Sequence, residues 1–244
     1  MFSPCPTPPG FALKAAFTLC LGLGLAVLAG CAYRGEIDDP FTIKATWFSY
    51  LNGDDIRAAC GPGAEPWYRL VYNGAYDEQL RAYEVVGDGA GGALFTARVM
   101  TGSGLNVTNI SLADLTAVGG WTKAQDRLSP SELADFEGQL EDSDAFGPTP
   151  AGLRLASEQF YWIASLCRDG RFHFNAWRYR SARYDRLSFP AGLLDHDRTG
   201  IAVNPPREDA GVVLARNKLE RDDGSSAFSL TVAENGLAGH ITLF

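Results

Sequence analysis

Two strand-like runs meet across Asp169-Gly170: Gln159 to Arg168 (QFYWIASLCR) and Arg171 to Tyr179 (RFHFNAWRY). A two-residue type I′ turn needs positive φ at both central positions, which Gly adopts freely and Asp tolerates, so Asp-Gly between such runs specifies a β-hairpin. A chain committed to this hairpin must build an antiparallel sheet around it. Other segments follow the same syntax. Tyr68–Asn73 turns near Gly74 and returns as Gln79–Val86; the glycine-rich stretch Gly87–Gly92 leads to Leu94–Met100, and Thr101–Gly104 to Leu105–Leu112. A last pair, Gly211–Glu220 and Ser225–Glu234, reads as a hairpin across Asp223-Gly224.

Helices interrupt this pattern. Asp54–Cys60 reads as a short helix with an Asp N-cap, stopped by Gly61 and Pro62. Ser129-Pro130-Ser131-Glu132 is a capping box with Pro at the first helical position. Leu133, Phe136, Gly138 and Leu140 then space as one helical face, until the Gly147–Pro150 stretch ends the segment. After Tyr184 the chain reads as loop through Pro205-Pro206. The expected class is α+β, mainly antiparallel β-sheet built from hairpins with a few short helices.

The N-terminus carries a different signal. Ala15–Ala29 is uncharged and follows the single cation Lys14. This run is short of the roughly 20 residues a membrane-spanning helix needs, but it matches a signal-peptide core. It ends in Leu28-Ala29-Gly30-Cys31, which resembles the lipobox of bacterial lipoproteins. That resemblance implies a signal peptide over residues 1–30, removed on export, and a Cys31 that is acylated (the palmitate position) and becomes the new N-terminus. Residues 31–40 then read as a short tether and 41–244 as one periplasmic α+β domain. Ala32 after the Cys resembles the pattern that does not favour inner-membrane retention, so the expected address is the periplasmic face of the outer membrane. A secretory signal with a chance Cys, or an uncleaved anchor, is the alternative.

Loss of residues 1–30 leaves 20 Lys and Arg against 29 Asp and Glu, a net charge of −9. Such an acidic balance argues against nucleic acid, whose binding depends on phosphate neutralisation. Of five cysteines, Cys5 and Cys20 leave with the signal and Cys31 is acylated. Cys60 and Cys167 remain in an oxidising compartment and are expected to form one disulfide.

No catalytic or metal constellation emerges, and no cofactor is implied. Gly87–Gly92 lacks the Lys-Ser/Thr of a phosphate loop and reads as a turn. Asp195-His196-Asp197 offers three ligating side chains, but adjacent residues diverge, and it reads as a solvated turn. His173, between Phe172 and Phe174, reads as a half-buried structural imidazole.

One segment departs from the acidic background. Arg168–Arg186 holds six arginines against Asp169 and Asp185, interleaved with Phe172, Phe174, Trp177, Tyr179 and Tyr184. Strand alternation puts Arg171, His173, Asn175, Trp177 and Tyr179 on one face and Phe172, Phe174, Ala176, Arg178 and Arg180 on the other. Arginine forks beside aromatic planes suit anionic groups, glycans or a partner's hot spots. Arg171, His173, Trp177, Arg178, Tyr179 and Arg180 therefore form the candidate binding surface, against the alternative of a packed strand whose arginines pair with local acids. The functional expectation is a non-enzymatic, membrane-tethered domain that binds an envelope protein or an anionic envelope component. The alternative is a hydrolase acting on envelope material, with His173 or His196 as its acid–base group. A histidine clustered with a carboxylate and a nucleophile in a deep pocket would favour the enzyme.

Overall fold

A computed structural model of the chain describes residues 47–102, 121–208 and 228–243. The leader, Cys31, the tether and the strands expected over Leu105–Leu112 and Gly211–Glu220 lie outside these residues.

The described chain is mainly antiparallel β-sheet with a few short helices. In chain order it runs α1 (Asp54–Ala59), β1 (Trp67–Gly74), β2 (Gln79–Gly87), β3 (Ala93–Thr101), β4 (Thr122–Leu128), α2 (Pro130–Asp142), β5 (Arg154–Ala156), β6 (Phe160–Arg168) and β7 (Arg171–Arg178). It continues with α3 (Phe189–Asp195), β8 (Phe228–Ala233) and β9 (Gly236–Leu243). Six strands make one sheet in the order β4-β3-β2-β1-β6-β7, and three more make a second, β5-β8-β9.

The β6–β7 hairpin forms in the expected register, with Arg168 opposite Arg171 and Trp162 opposite Trp177. Asp169 (φ 52°) and Gly170 (φ 70°) supply its two positive φ values. A Cβ at Gly170 would stand 2.6 Å from the Gly61 carbonyl oxygen, so this turn requires glycine by contact as well as by conformation. The same end of the sheet is stitched covalently: Cys60, capping α1 next to Gly61, is disulfide-bonded to Cys167 on β6, with Cα atoms 5.6 Å apart.

Both faces of the large sheet are covered. Tyr68, Leu70, Tyr83, Phe95, Trp162 and Trp177 point to one face, where α2, α3 and the segment after α3 pack. Val71, Ala82, Ile163, Phe174 and Ala176 point to the other, under the helical segment 47–59 and the three-stranded sheet. The period of two along each strand produces both sets. Fully burying one such large apolar side chain contributes roughly 1.5–3 kcal/mol.

The capping box holds α2 as the sequence implies. Ser129 accepts from the Glu132 amide, and the Glu132 carboxylate accepts from the Ser129 amide at 2.8 Å. Leu133, Phe136 and Leu140 are buried beneath it, while Gly138 lies off that face. Helix α1 begins differently from expectation. Its N-cap is Gly53 at φ 67°, and Asp54 is the first helical residue, its carboxylate accepting from Ser49 Oγ and Asn52 Nδ2. Strands β4 and β5 and helix α3 extend beyond the elements expected from sequence. Strand β8 lies within the expected run Ser225–Glu234 and turns at Glu234-Asn235 into β9.

Two arginines are interior. Arg69 is 1% exposed, and its guanidinium forks onto Asp55 (2.6 and 2.8 Å) and also donates to Glu84. Burial disfavours its charge, but Tyr50, Asp55 and Glu84 more than offset that, and its pKa is raised. Arg81, on the opposite face, meets Asp197 at 2.5 Å.

Candidate functional site

The candidate surface divides when it is mapped onto β7. Trp177 is not part of any surface: it is 1% exposed, packs on Phe189, and donates from Nε1 to the Ser143 carbonyl at 3.2 Å. Its neighbour Asn175 is likewise enclosed, donating to the Asp144 carbonyl at 3.0 Å. The loop after α2 covers this stretch of β7, which alternation alone does not reveal. Arg171 and His173 lie at the hairpin-tip end of the strand. Arg178, Tyr179 and Arg180 lie at its other end, seven residues or about 24 Å away from Arg171. One patch cannot include both groups.

Arg178, Tyr179 and Arg180 do come together, around an open cavity of about 310 Å³ where β6 begins and β7 ends. Glu158, Gln159, Phe160, Arg207 and Glu208 complete its lining. The Tyr179 amide extends the ladder by donating to the Phe160 carbonyl at 2.9 Å, and the two rings meet edge to face. Arg180 then turns the chain in the left-handed region, at φ 66°. Ser181 Oγ donates to the Arg178 carbonyl at 2.7 Å and accepts from the Tyr184 amide, which closes the turn.

Each of the three arginines is held differently. Arg180 pairs with Glu208. Arg207 pairs with Glu78, donates to Asn204 Oδ1 at 3.0 Å and stands 5.5 Å from the centre of the Phe160 ring. Arg178 is exposed and donates to the Arg154 carbonyl at 3.3 Å; it has no carboxylate partner among the described residues.

The far wall of the cavity comes from the strap that follows α3. Asp197 anchors its start, accepting from Arg81 Nη1 (2.5 Å), Tyr83 OH (2.9 Å), and the Thr199 amide and hydroxyl. Asp197 is 6% exposed, so this part of the Asp195-His196-Asp197 triplet is a buried clamp and not a solvated turn. Arg81 also donates to the Ile201 carbonyl, and Gln79 to that of Ala202. Asn204 finishes the attachment, donating to the Gly74 carbonyl and accepting from Tyr72 OH on its own carbonyl, both at 2.7 Å. Sequence reasoning misses Arg207 because these contacts join positions more than 110 residues apart in the chain.

The two histidines with described side chains, His173 and His196, form no common site. His196 caps α3, and its Nδ1 lies 3.2 Å from Asp126 on β4, which also pairs with Arg198. The backbone amide of Arg127, followed by His196, holds the Asp126 carboxyl below its usual range. A cavity of about 150 Å³ beside it is lined by Glu132, Asp135, Asp195 and His196 over Phe95 and Phe136, with no Ser, Thr or Cys in its wall. His173 lies on β7, at the opposite edge of the sheet and five strand spacings, roughly 24 Å, from β4. It meets Phe146 edge to face, and burial together with Arg168 pushes its pKa down. Arg168 itself stacks over Phe146 and pairs with Glu141, while Arg183 pairs with Asp144. These two arginines serve the structure.

Among the described residues, no group of three His, Cys, Asp or Glu side chains is placed to hold a metal ion. None of their helices is long and apolar enough to cross a membrane. Compared with protein-family models, curated proteins and solved structures, the chain matches none.

Proposed function

We propose that this chain is a lipid-anchored envelope protein, tethered through Cys31 and facing the periplasm from the outer membrane, whose domain binds an anionic group in the arginine–aromatic cavity. The observation that carries the binding role is the meeting of Arg178, Arg180 and Arg207 with Phe160 and Tyr179 around one open cavity. Arginine supplies paired donors that match carboxylate or phosphate oxygens, and the half-buried Tyr179 ring, braced by the buried Phe160, supplies contact area for whatever carries the anion. Three arginines against Glu158 and Glu208 leave the lining with one positive charge in excess in an acidic chain. Arg178, exposed and without a carboxylate partner among the described residues, is where an anion would first be drawn. The partner is an envelope protein presenting such a group, or an anionic envelope component.

Two measurements test the reading. Cys31→Ser should abolish palmitate incorporation and membrane fractionation; unchanged labelling removes the anchor. Arg178→Ala with Arg180→Ala should leave folding intact while weakening retention of anionic envelope material. An unaltered profile at normal stability removes the cavity.

The His196–Asp126 pair favours a second reading, an envelope hydrolase, since a carboxylate-oriented imidazole is a common acid–base device. The cavity beside it offers no side-chain nucleophile, so this reading requires water activated by His196.

A further inference from the structure

We infer that Glu208 is a built-in competitor for the arginine cavity, occupying Arg180 in place of a ligand's phosphate or carboxylate. The inference rests on the binding role proposed above and adds the ligand class and its control. Glu208 lies on the strap, pairs with Arg180, and lines the same cavity as Arg178 and Arg207. Its carboxylate presents to Arg180 the same oxygen pair that an anionic ligand would. The Arg180 and Glu208 side chains are 58% and 72% exposed, so the pair is solvent-screened and easily exchanged.

The three arginines have graded availability. Arg207 is braced by Glu78 and Asn204, both outside the lining, and acts as a fixed positive wall. Arg178 meets only a carbonyl among the described residues and offers the first docking contact. An anion that takes the place of the Glu208 carboxylate on Arg180 gains a second contact. Tyr179, half-buried and braced edge to face at 6.3 Å by the buried Phe160 ring, presents an aromatic surface next to these charges. The ligand class is therefore an anion attached to a planar or apolar body, not a small bare ion.

The strap makes this arrangement specific. Its start is fixed by the buried Arg81–Asp197 pair and its middle by Asn204, so Glu208 is delivered to Arg180 by a built framework. A competing carboxylate on such a framework sets a threshold: weak anions are excluded, and a ligand that also engages the Tyr179 ring displaces it.

Calorimetric titration of the full chain in detergent tests this, with phenyl phosphate and phenylacetate as probes and inorganic phosphate as the bare-ion control. Their relative affinities decide between phosphate and carboxylate. Glu208→Gln should tighten probe binding by about two- to fivefold, the range that loss of an exposed ion pair supports. Arg178→Ala should weaken it, and the affinity of every variant should fall with added salt. Asp169→Asn removes the same charge at the hairpin tip, about 27 Å along the strand from Arg178, and should change nothing. If wild type binds and Arg178→Ala weakens it, but Glu208→Gln does not differ from Asp169→Asn, the competitor role is overturned and the cavity stands. If neither wild type nor Glu208→Gln binds any probe, the cavity reading fails and the inference with it. Inorganic phosphate binding as tightly as phenyl phosphate would overturn the ligand class. Melting curves that coincide among the variants keep these outcomes free of folding effects.

Discussion

Replacing Asp197 with Ala should produce one of the largest single-residue losses of stability in this protein. The side chains of Arg81 and Asp197 are 1% and 6% exposed, and Asp197 accepts four hydrogen bonds, from Arg81, Tyr83 and twice from Thr199. Alanine leaves the guanidinium with Gln79 Oε1 at 2.8 Å, the Ile201 carbonyl and the Tyr83 hydroxyl, none of them charged. Removing one partner of a buried pair costs about 3–5 kcal/mol, because the remaining charge is still desolvated. For a domain of this size that corresponds to a fall in Tm of roughly 6–20 °C. Urea denaturation measures the global loss. Hydrogen exchange of the Thr199 and Asn204 amides, which are held by Asp197 Oδ1 and Gln79 Oε1, reports whether the strap opens first. The apolar double variant Arg81→Met with Asp197→Leu should recover much of the loss, since no unpaired charge remains buried. A cost below about 1 kcal/mol for Asp197→Ala, with unchanged amide protection, would refute the clamp.

Other expectations follow from the same geometry. Cys60→Ser with Cys167→Ser opens a loop closed across 107 residues and should cost at most about 5 kcal/mol on the chain-entropy account; denatured, unreduced protein should show neither cysteine as a free thiol. Burial opposes the Glu84 charge, but Arg69 and Arg98 outweigh it and hold the carboxyl below its ordinary 4.5. Its folded pKa is thus below the unfolded one, so its stabilisation is present above about pH 4.5 and lost as pH falls. Stability of Glu84→Gln should accordingly decline less steeply from pH 5 to 3 than that of wild type. The His173 imidazole should titrate below 6.5 by NMR, because burial and Arg168 oppose its charge; a midpoint above 6.5 contradicts the packing described for it. Protonation of His173 then favours the unfolded chain, so this residue's contribution weakens as pH drops through 6.5.

Sequence legibility here follows the range of the interactions. The Asp169-Gly170 hairpin and the α2 capping box are local devices, written in two and four residues, and both form as read. The Cys60–Cys167 bridge was accessible by counting. Strand β4 is not legible because TKAQDRL lies at the sheet edge and is largely exposed, so neither apolar alternation nor aromatic enrichment marks it. Helix α3 is hidden by Pro190 and Gly192, two residues that read as loop although Pro is well tolerated in a first helical turn. The β8–β9 turn falls on Glu234-Asn235, one residue ahead of the Asn235-Gly236 dipeptide that would mark a type I′ turn, so its position is not written in the sequence. Trp177 illustrates a deeper limit. Alternation assigns a side chain to a face but does not say whether that face is covered, and here both are. The cavity is legible in part: Arg178, Tyr179 and Arg180 are neighbours in sequence, whereas Arg207 and Glu208 arrive through the Arg81–Asp197 clamp.

The central claim, that the arginine–aromatic cavity is where this protein takes hold of an anionic group, is tested most directly by locating a bound probe. With the chain labelled in nitrogen-15, titration of phenyl phosphate at low salt should shift the side-chain Nε–H signals of Arg178 and Arg180 and the Tyr179 amide together along one binding curve. The Nε–H signal of Arg168, stacked over Phe146 and paired with Glu141, should stay in place. Shifts centred on the His196–Asp126 cleft, or none that saturate anywhere, would contradict the account.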